Sequence, residues 1–254
     1  MKSLHFLYHE LYSEPSSYSY ALQCSQFERH CELFARLRGN PGQTLIPEVT
    51  FDDGHRSNCE FALPLLKRYG LGAHFFVTVG WIGCRAQYMN WDELRALHAA
   101  GQHIGAHGWS HALLTHCSAS QLEQELSGAR RKLEDELGSP VTTMSLPGGR
   151  INQKVLDACW AAGYVEVFTS SPRSEATCRD VRCTVGRLNI RSSFTLAFME
   201  EVLRLDNRLL SKLQRKEQLR TIAKNLLGDS LYARIWSIVN RQEDEVGPSG
   251  ALIE

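Results

Sequence analysis

The sequence predicts an α/β protein, a deformed parallel (β/α) barrel of about seven strands with extra C-terminal helices. Short apolar strands alternate with amphipathic helices from Leu4 to Ile190. The unusual polar residues fall at the carboxyl ends of those strands, where barrel chemistry sits. After Ile190 the pattern becomes helical only.

The elements follow in order. "LHFLYH" reads as the first strand. "SQFERHCELFARLRG" reads as a helix, with Ser25 and Glu28 as a capping box and Gly39 as its stop. "TLIPEVTF" is the next strand, with Pro47 suggesting an irregular or edge start. A helix around "FALPLLKRYG" precedes the strand "AHFFVTVG". Asn90 caps the helix "NWDELRALHAAG", and Gly101 ends it. "HIGAHG" is a short strand. "SASQLEQELSGARRKLEDELG" is a long helix that turns its charges to water and Leu122, Leu126, Ala129 and Leu133 inward. The strand "VTTMSLP", the helix "NQKVLDACWAAG" and the strands "YVEVFTS" and "TVGRLNI" complete the set.

No repeat, low-complexity tract or linker splits this unit. The expected division is a barrel over 1–192, a helical extension over 193–241 packed on the same domain, and a tail over 242–254. With 28 basic and 28 acidic residues the net charge is zero, which argues against a globally basic nucleic-acid binder. The eight cysteines are scattered without a CxxC, and in a chain this long read as reduced, buried thiols; pairing of Cys178 with Cys183, or a metal held by the two, is the less favoured alternative. "MKSLHFLYHELYSEP" is broken by His5, His9 and Glu10, unlike a signal peptide, and no apolar run approaches a membrane span. The expected compartment is the cytoplasm.

Two adjacent carboxylates, Asp52 and Asp53, end the second strand. Like charges side by side repel, and burying either one unpaired is costly. "HGWSH" places His107 and His111 four apart, a spacing that lets both face one point on a helical turn. Two imidazoles and one carboxylate make an open zinc site. One Asp then holds the metal, and the other serves as a general base beside it, with the ion relieving their repulsion. Other divalent transition ions suit the same donors.

"TFDDG", "HGWSH" and "SLPGGR" resemble the first three motifs of the polysaccharide deacetylases, carbohydrate esterase family 4 with the NodB homology domain, over roughly residues 4 to 190. The resemblance implies hydrolysis of N-acetyl, sometimes O-acetyl, groups on sugars, with Asp52 as base and Asp53, His107 and His111 as metal ligands. Gly108 stands where the family has Ser or Thr, and Ser145 where the third motif has Arg. No His follows His116, so the late Leu-x-His that supplies the general acid is missing. "FLYHE" resembles the N-terminal Tyr-His-Asp of the exopolysaccharide deacetylases, whose motif order is permuted. That likeness makes His9 the acid, with Glu10 in place of Asp; His55 and His116 are the fallback acids.

Pro147, Gly148, Gly149, Arg150 and Trp109 are the candidate substrate-binding residues. Arg150 and Arg187 are candidates to orient Asp52. The basic residues of the C-terminal helices, Arg204 to Lys224, fit a solvated face or an anionic membrane surface or lipid-linked substrate. The expected activity is metal-dependent deacetylation of an amino sugar in a polysaccharide or its polymer, lipid-linked or nucleotide-linked precursor. A catalytically silent sugar-binding or assembly protein and a hydrolase of a non-sugar C–N bond are the alternatives.

Overall fold

The computed structural model describes residues 2–14, 16–40, 42, 45–204, 209–215 and 219. In chain order its elements are β1 (Lys2–Tyr8), β2 (Glu10–Tyr12), β3 (Ala21–Gln23), α1 (Cys24–Arg38), β4 (Leu45–Phe51), α2 (Leu63–Arg68), β5 (Ala73–Val77), α3 (Trp91–Ala99), β6 (His103–Ala106), α4 (Ala119–Glu123), α5 (Ala129–Leu137), β7 (Thr143–Ser145), α6 (Gln153–Ala161), β8 (Glu166–Phe168), β9 (Thr177–Arg179), β10 (Arg182–Val185), β11 (Arg187–Asn189) and α7 (Leu196–Leu203). The main sheet runs β11-β1-β4-β5-β6-β7-β8-β10-β9, and β2 pairs with β3 in a second, small sheet. Every pairing in the main sheet is parallel except β10 with β9. The result is the curled parallel sheet that the strand–helix alternation predicts.

The last predicted strand, "TVGRLNI", is divided. Its first half, in β10, pairs with β8, and its second half, β11, pairs with β1 at the opposite end of the parallel series. One short run thus links both ends of the curl. The bend falls at Gly186, where a Cβ would approach the Ser171 carbonyl oxygen to 2.3 Å. Pro47 is not on an edge strand, because β4 lies between β1 and β5. The proline is accommodated because β5 joins β4 only from Val49 onward.

Alternation along the strands divides the apolar residues between two faces. Phe6, Phe27, Phe34, Phe51 and Phe75 belong to the large core, with Phe51 and Phe75 stacked at 5.1 Å. Phe76, Phe168 and Val185 form a separate small cluster, and Arg187 lies over both rings. Asn90 caps α3 with the full capping box, as expected. Helix α1 instead begins after Gln23 without a side-chain cap, so Ser25 lies inside the helix. In the segment 118–138, α4 and α5 are joined by a π-helical turn, Gln124–Gly128. Its charges do not all face water, because Glu125 is buried.

Cys178 and Cys183 form a disulfide across the β9–β10 hairpin, where they are direct cross-strand partners. The sequence reading favoured thiols here because the antiparallel register that apposes them is not visible in a spacing of five. The other six cysteines are free. Helix α7 packs its buried Met199, Val202 and Leu203 into the core, and Glu200 pairs with Arg36 of α1 at 2.8 Å. The rest of the expected helical extension and the tail lie outside the described residues, apart from 209–215 and 219. Among the described residues no helix is long and apolar enough to cross a membrane.

Three imidazoles away from the strand carboxyl ends are held neutral. Burial pushes His5 and His30 down to about 4 and His74 to about 3. His30 Nδ1 lies 3.0 Å from the Tyr8 hydroxyl, which donates to it only while that nitrogen is unprotonated. The unfolded chain takes up these protons near pH 6.5, and the folded chain resists them. Their stabilising effect is therefore complete above pH 6.5 and is lost as the pH falls toward 4. At pH 5 His30 alone accounts for a loss of about 2 kcal/mol. Urea unfolding at pH 7 and pH 5 tests this, and equal stability at both would contradict it.

Candidate active site and metal centre

Each candidate residue follows a strand end. Asp52 and Asp53 follow β4, and the turn carries Asp53 at φ 72° and Gly54 at φ 86°. A non-glycine residue there is strained, a condition that clusters at functional sites. His107 follows β6, and its Nδ1 lies 2.9 Å from the Ser145 carbonyl at the end of β7. That contact puts the proton on Nδ1 and leaves the Nε2 lone pair free.

His111 does not reach the site along a helical turn. "HGWSH" is a loop, with Gly108 at φ 78° and His111 at φ 67°. The four-residue spacing brings the two rings together all the same, with centroids 4.9 Å apart, because the left-handed residues double the chain back. Trp81 stacks on the His111 ring at 5.2 Å.

Asp53 Oδ1 lies 3.4 Å from Nε2 of both His107 and His111. It is buried and has no hydrogen-bond partner. Among the described residues, these three are the group whose ligand atoms gather tightly enough to hold a metal, all within 4.8 Å of one another. Two nitrogens and an orphaned carboxylate oxygen fit a divalent transition ion.

Asp52 lies beside this trio, its Oδ2 3.9 Å from His107 Nε2, but its close partners are elsewhere. Burial by itself would raise its pKa, but the Arg187 guanidinium and His107 outweigh burial and hold it below the usual carboxylate range. Arg187 is fully buried and grips both oxygens, Nη1 to Oδ1 at 2.7 Å and Nη2 to Oδ2 at 2.8 Å. The Ser145 hydroxyl donates to Asp52 Oδ2 at 2.9 Å and accepts from Arg187 Nη2 at 2.7 Å. So the serine that stands in the place of the family's Arg takes part in a bridge to an arginine from β11. Asp53 is likewise held below the usual carboxylate range: contacts with the two imidazoles outweigh its burial.

His9 follows β1. Asn58 donates to its backbone carbonyl at 2.8 Å, and its ring packs on Tyr20 at 5.3 Å. Its pKa is lowered, because burial outweighs the opposing pull of Asp53 and Asp52. Its Nδ1 is buried without a hydrogen-bond partner. Of the fallback acids, His55 is taken up by Ser57, with Nδ1 to Oγ at 2.8 Å, and His116 meets Arg150 at 3.3 Å. Arg150 thus pairs elsewhere, and Arg187 is the one that holds Asp52. Pro147, Gly148 and Gly149 form a short 3-10 turn after β7, and Trp109 is partly buried against the core. Sequence reasoning missed the bridging role of Ser145, whose signal was the missing motif Arg, and the buried Glu125.

A curled parallel sheet with an Asp-His-His cluster and a second, arginine-bound Asp at its strand ends defines the class, an α/β barrel protein whose strand ends gather a set of residues able to hold a metal ion. Residues 44–167 match the model of the polysaccharide deacetylase family. It is 26% identical over 184 residues to YxkH of Bacillus subtilis, named as a polysaccharide deacetylase, covering 65% of this chain and 63% of that one. It is 33% identical over 117 residues to the peptidoglycan-N-acetylmuramic acid deacetylase PdaC of the same organism, covering 46% of this chain and 24% of that one. The matches thus span less than two thirds of these curated relatives' own length. Among solved structures, the deacetylase PplD of Streptococcus pyogenes shares the fold, with a TM-score of 0.69 at 16% identity, over 80% of this chain and 98% of that one.

Proposed function

We propose that this protein is a metal-dependent deacetylase that hydrolyses the N-acetyl group of an amino sugar in a polysaccharide, or in a polymer-, lipid- or nucleotide-linked precursor of exopolysaccharide. One observation carries the reading: the two adjacent carboxylates have different principal partners, Asp53 the two imidazoles at 3.4 Å and Asp52 the buried Arg187, with His107 Nε2 3.9 Å from Asp52.

Asp53, His107 and His111 would hold one divalent ion, zinc by its donor set. When bound, the ion polarises the acetyl carbonyl and acidifies a water to near neutrality. Asp52, kept ionised by Arg187, accepts a proton from the attacking water. His9 donates a proton to the leaving amine, which leaves poorly without one. Pro147, Gly148, Gly149, Arg150 and Trp109 line the approach for the sugar. Residues 1–192 act as the catalytic unit, with the helices after 193 packed on it.

The compartment turns on the hairpin cysteines. A cytoplasmic site of action would expose the Cys178–Cys183 bond to reducing thiols, whereas in oxidising surroundings it persists. Thiol alkylation and mass measurement on protein taken from its host distinguish the two.

The test is acetate release from a panel of N-acetylated glycans and carrier-linked sugars, run with a metal assay. His111→Ala is expected to lose most of the bound metal and the activity. Unaltered metal stoichiometry in that variant would refute the ligand set. Bound metal with no acetate released from any substrate would favour a silent sugar-binding protein.

A further inference from the structure

We propose that Glu125 is a positioning residue for the metal site, one that fixes the loop carrying His111. The inference rests on the metal-ligand reading of Asp53, His107 and His111.

Glu125 belongs to the π-helical turn between α4 and α5, a feature frequent at functional sites. It is only 6% exposed, yet it pairs with no arginine, lysine or histidine among the described residues. Its carboxylate is instead spent on one loop. Oε2 accepts the Trp109 N–H at 2.8 Å and the Ser110 N–H at 3.0 Å. Oε1 accepts the Ser110 hydroxyl at 2.5 Å. Charge-assisted bonds of this kind are the strong ones.

The same loop is held from its other side. The Gly108 and Trp109 carbonyls accept the Val79 and Gly80 N–H groups at 3.1 and 2.8 Å. Both polar edges of the two central peptides of this loop, Gly108–Trp109 and Trp109–Ser110, are therefore fixed before a metal arrives. This is the setting in which His111, a non-glycine residue at φ 67°, holds a left-handed backbone. Gly108 fits the same arrangement. A Cβ there would lie 2.7 Å from Glu125 Oε2, at a φ of 78° that side chains resist. The glycine after the first metal histidine and the carboxylate above it are two halves of one device.

The readout is the Zn2+ dissociation constant of the folded, metal-stripped chain, measured by competition with a chromophoric chelator. Glu125→Gln keeps the shape of the side chain but turns an N–H toward the loop donors. It is expected to weaken Zn2+ binding by about 10- to 100-fold, the usual effect of losing a group that orients a ligand. Glu123→Gln, at a surface carboxylate of α4, is expected to leave binding unchanged. A purely structural role would lower the melting temperature of the metal-free chain and leave the dissociation constant alone. If Glu125→Gln does not fold, Ser110→Ala, which removes only the hydroxyl's bond, carries the test with a smaller loss in the same direction. Wild-type affinity in the folded variant overturns this inference alone. A wild-type chain with no Zn2+ affinity overturns the metal-site reading and this inference together.

Discussion

Replacing Arg187 by methionine is expected to cost about 3–5 kcal/mol of stability, the penalty for leaving a buried charge without its partner. Arg187 is fully buried, and its hydrogen bonds run to four residues: Asp52, Ser145, Thr50 and the Thr169 carbonyl. Methionine fills much of the volume and restores none of these bonds. The Asp52 carboxylate then stays in a site whose burial favours its protonated form. Acetate release should fall with it, since a protonated Asp52 cannot act as base. The double variant Arg187→Met/Asp52→Asn should lose clearly less stability than the sum of the two single changes, because it removes both charges of the pair. Urea denaturation of the four proteins at pH 7 closes this cycle. A loss below about 1 kcal/mol in Arg187→Met would mean that the ion pair does not anchor the site.

His9→Ala is expected to keep the metal, the fold and roughly the substrate affinity, and to lower turnover by about 10²–10⁴-fold, the usual contribution of a general acid. The amine must gain a proton as the C–N bond breaks, and a positioned imidazole is a common donor of one. His9 faces both aspartates electrostatically, and its Nδ1 has no protein partner to satisfy. His55→Ala and His116→Ala should be much milder, because those rings are engaged with Ser57 and Arg150. Near-full activity in His9→Ala together with none in His116→Ala would reverse the assignment, and place the acid in the segment after the metal pair.

Much of this was legible in the chain itself. Alternating apolar residues and helix caps such as Asn90 act over a few positions, so the strand–helix order could be read directly. The placement of Asp52, Asp53, His9 and His107 at strand carboxyl ends followed from that order, and the four-residue histidine spacing survived even though the loop is not helical. Tertiary structure decided what depends on distant partners. It chose Arg187 over Arg150 for Asp52, across a separation of 135 positions, by bringing β11 beside β1. Burial around that contact is what turns a solvated arginine into an anchor for a carboxylate. It turned Glu125, one charge among many on an amphipathic helix, toward the loop between His107 and His111. It set Cys178 opposite Cys183 through an antiparallel register. It also divided the last strand at Gly186 between the two ends of the sheet. Each of these rests on which surfaces meet when the sheet curls, a long-range packing outcome that local propensity does not carry.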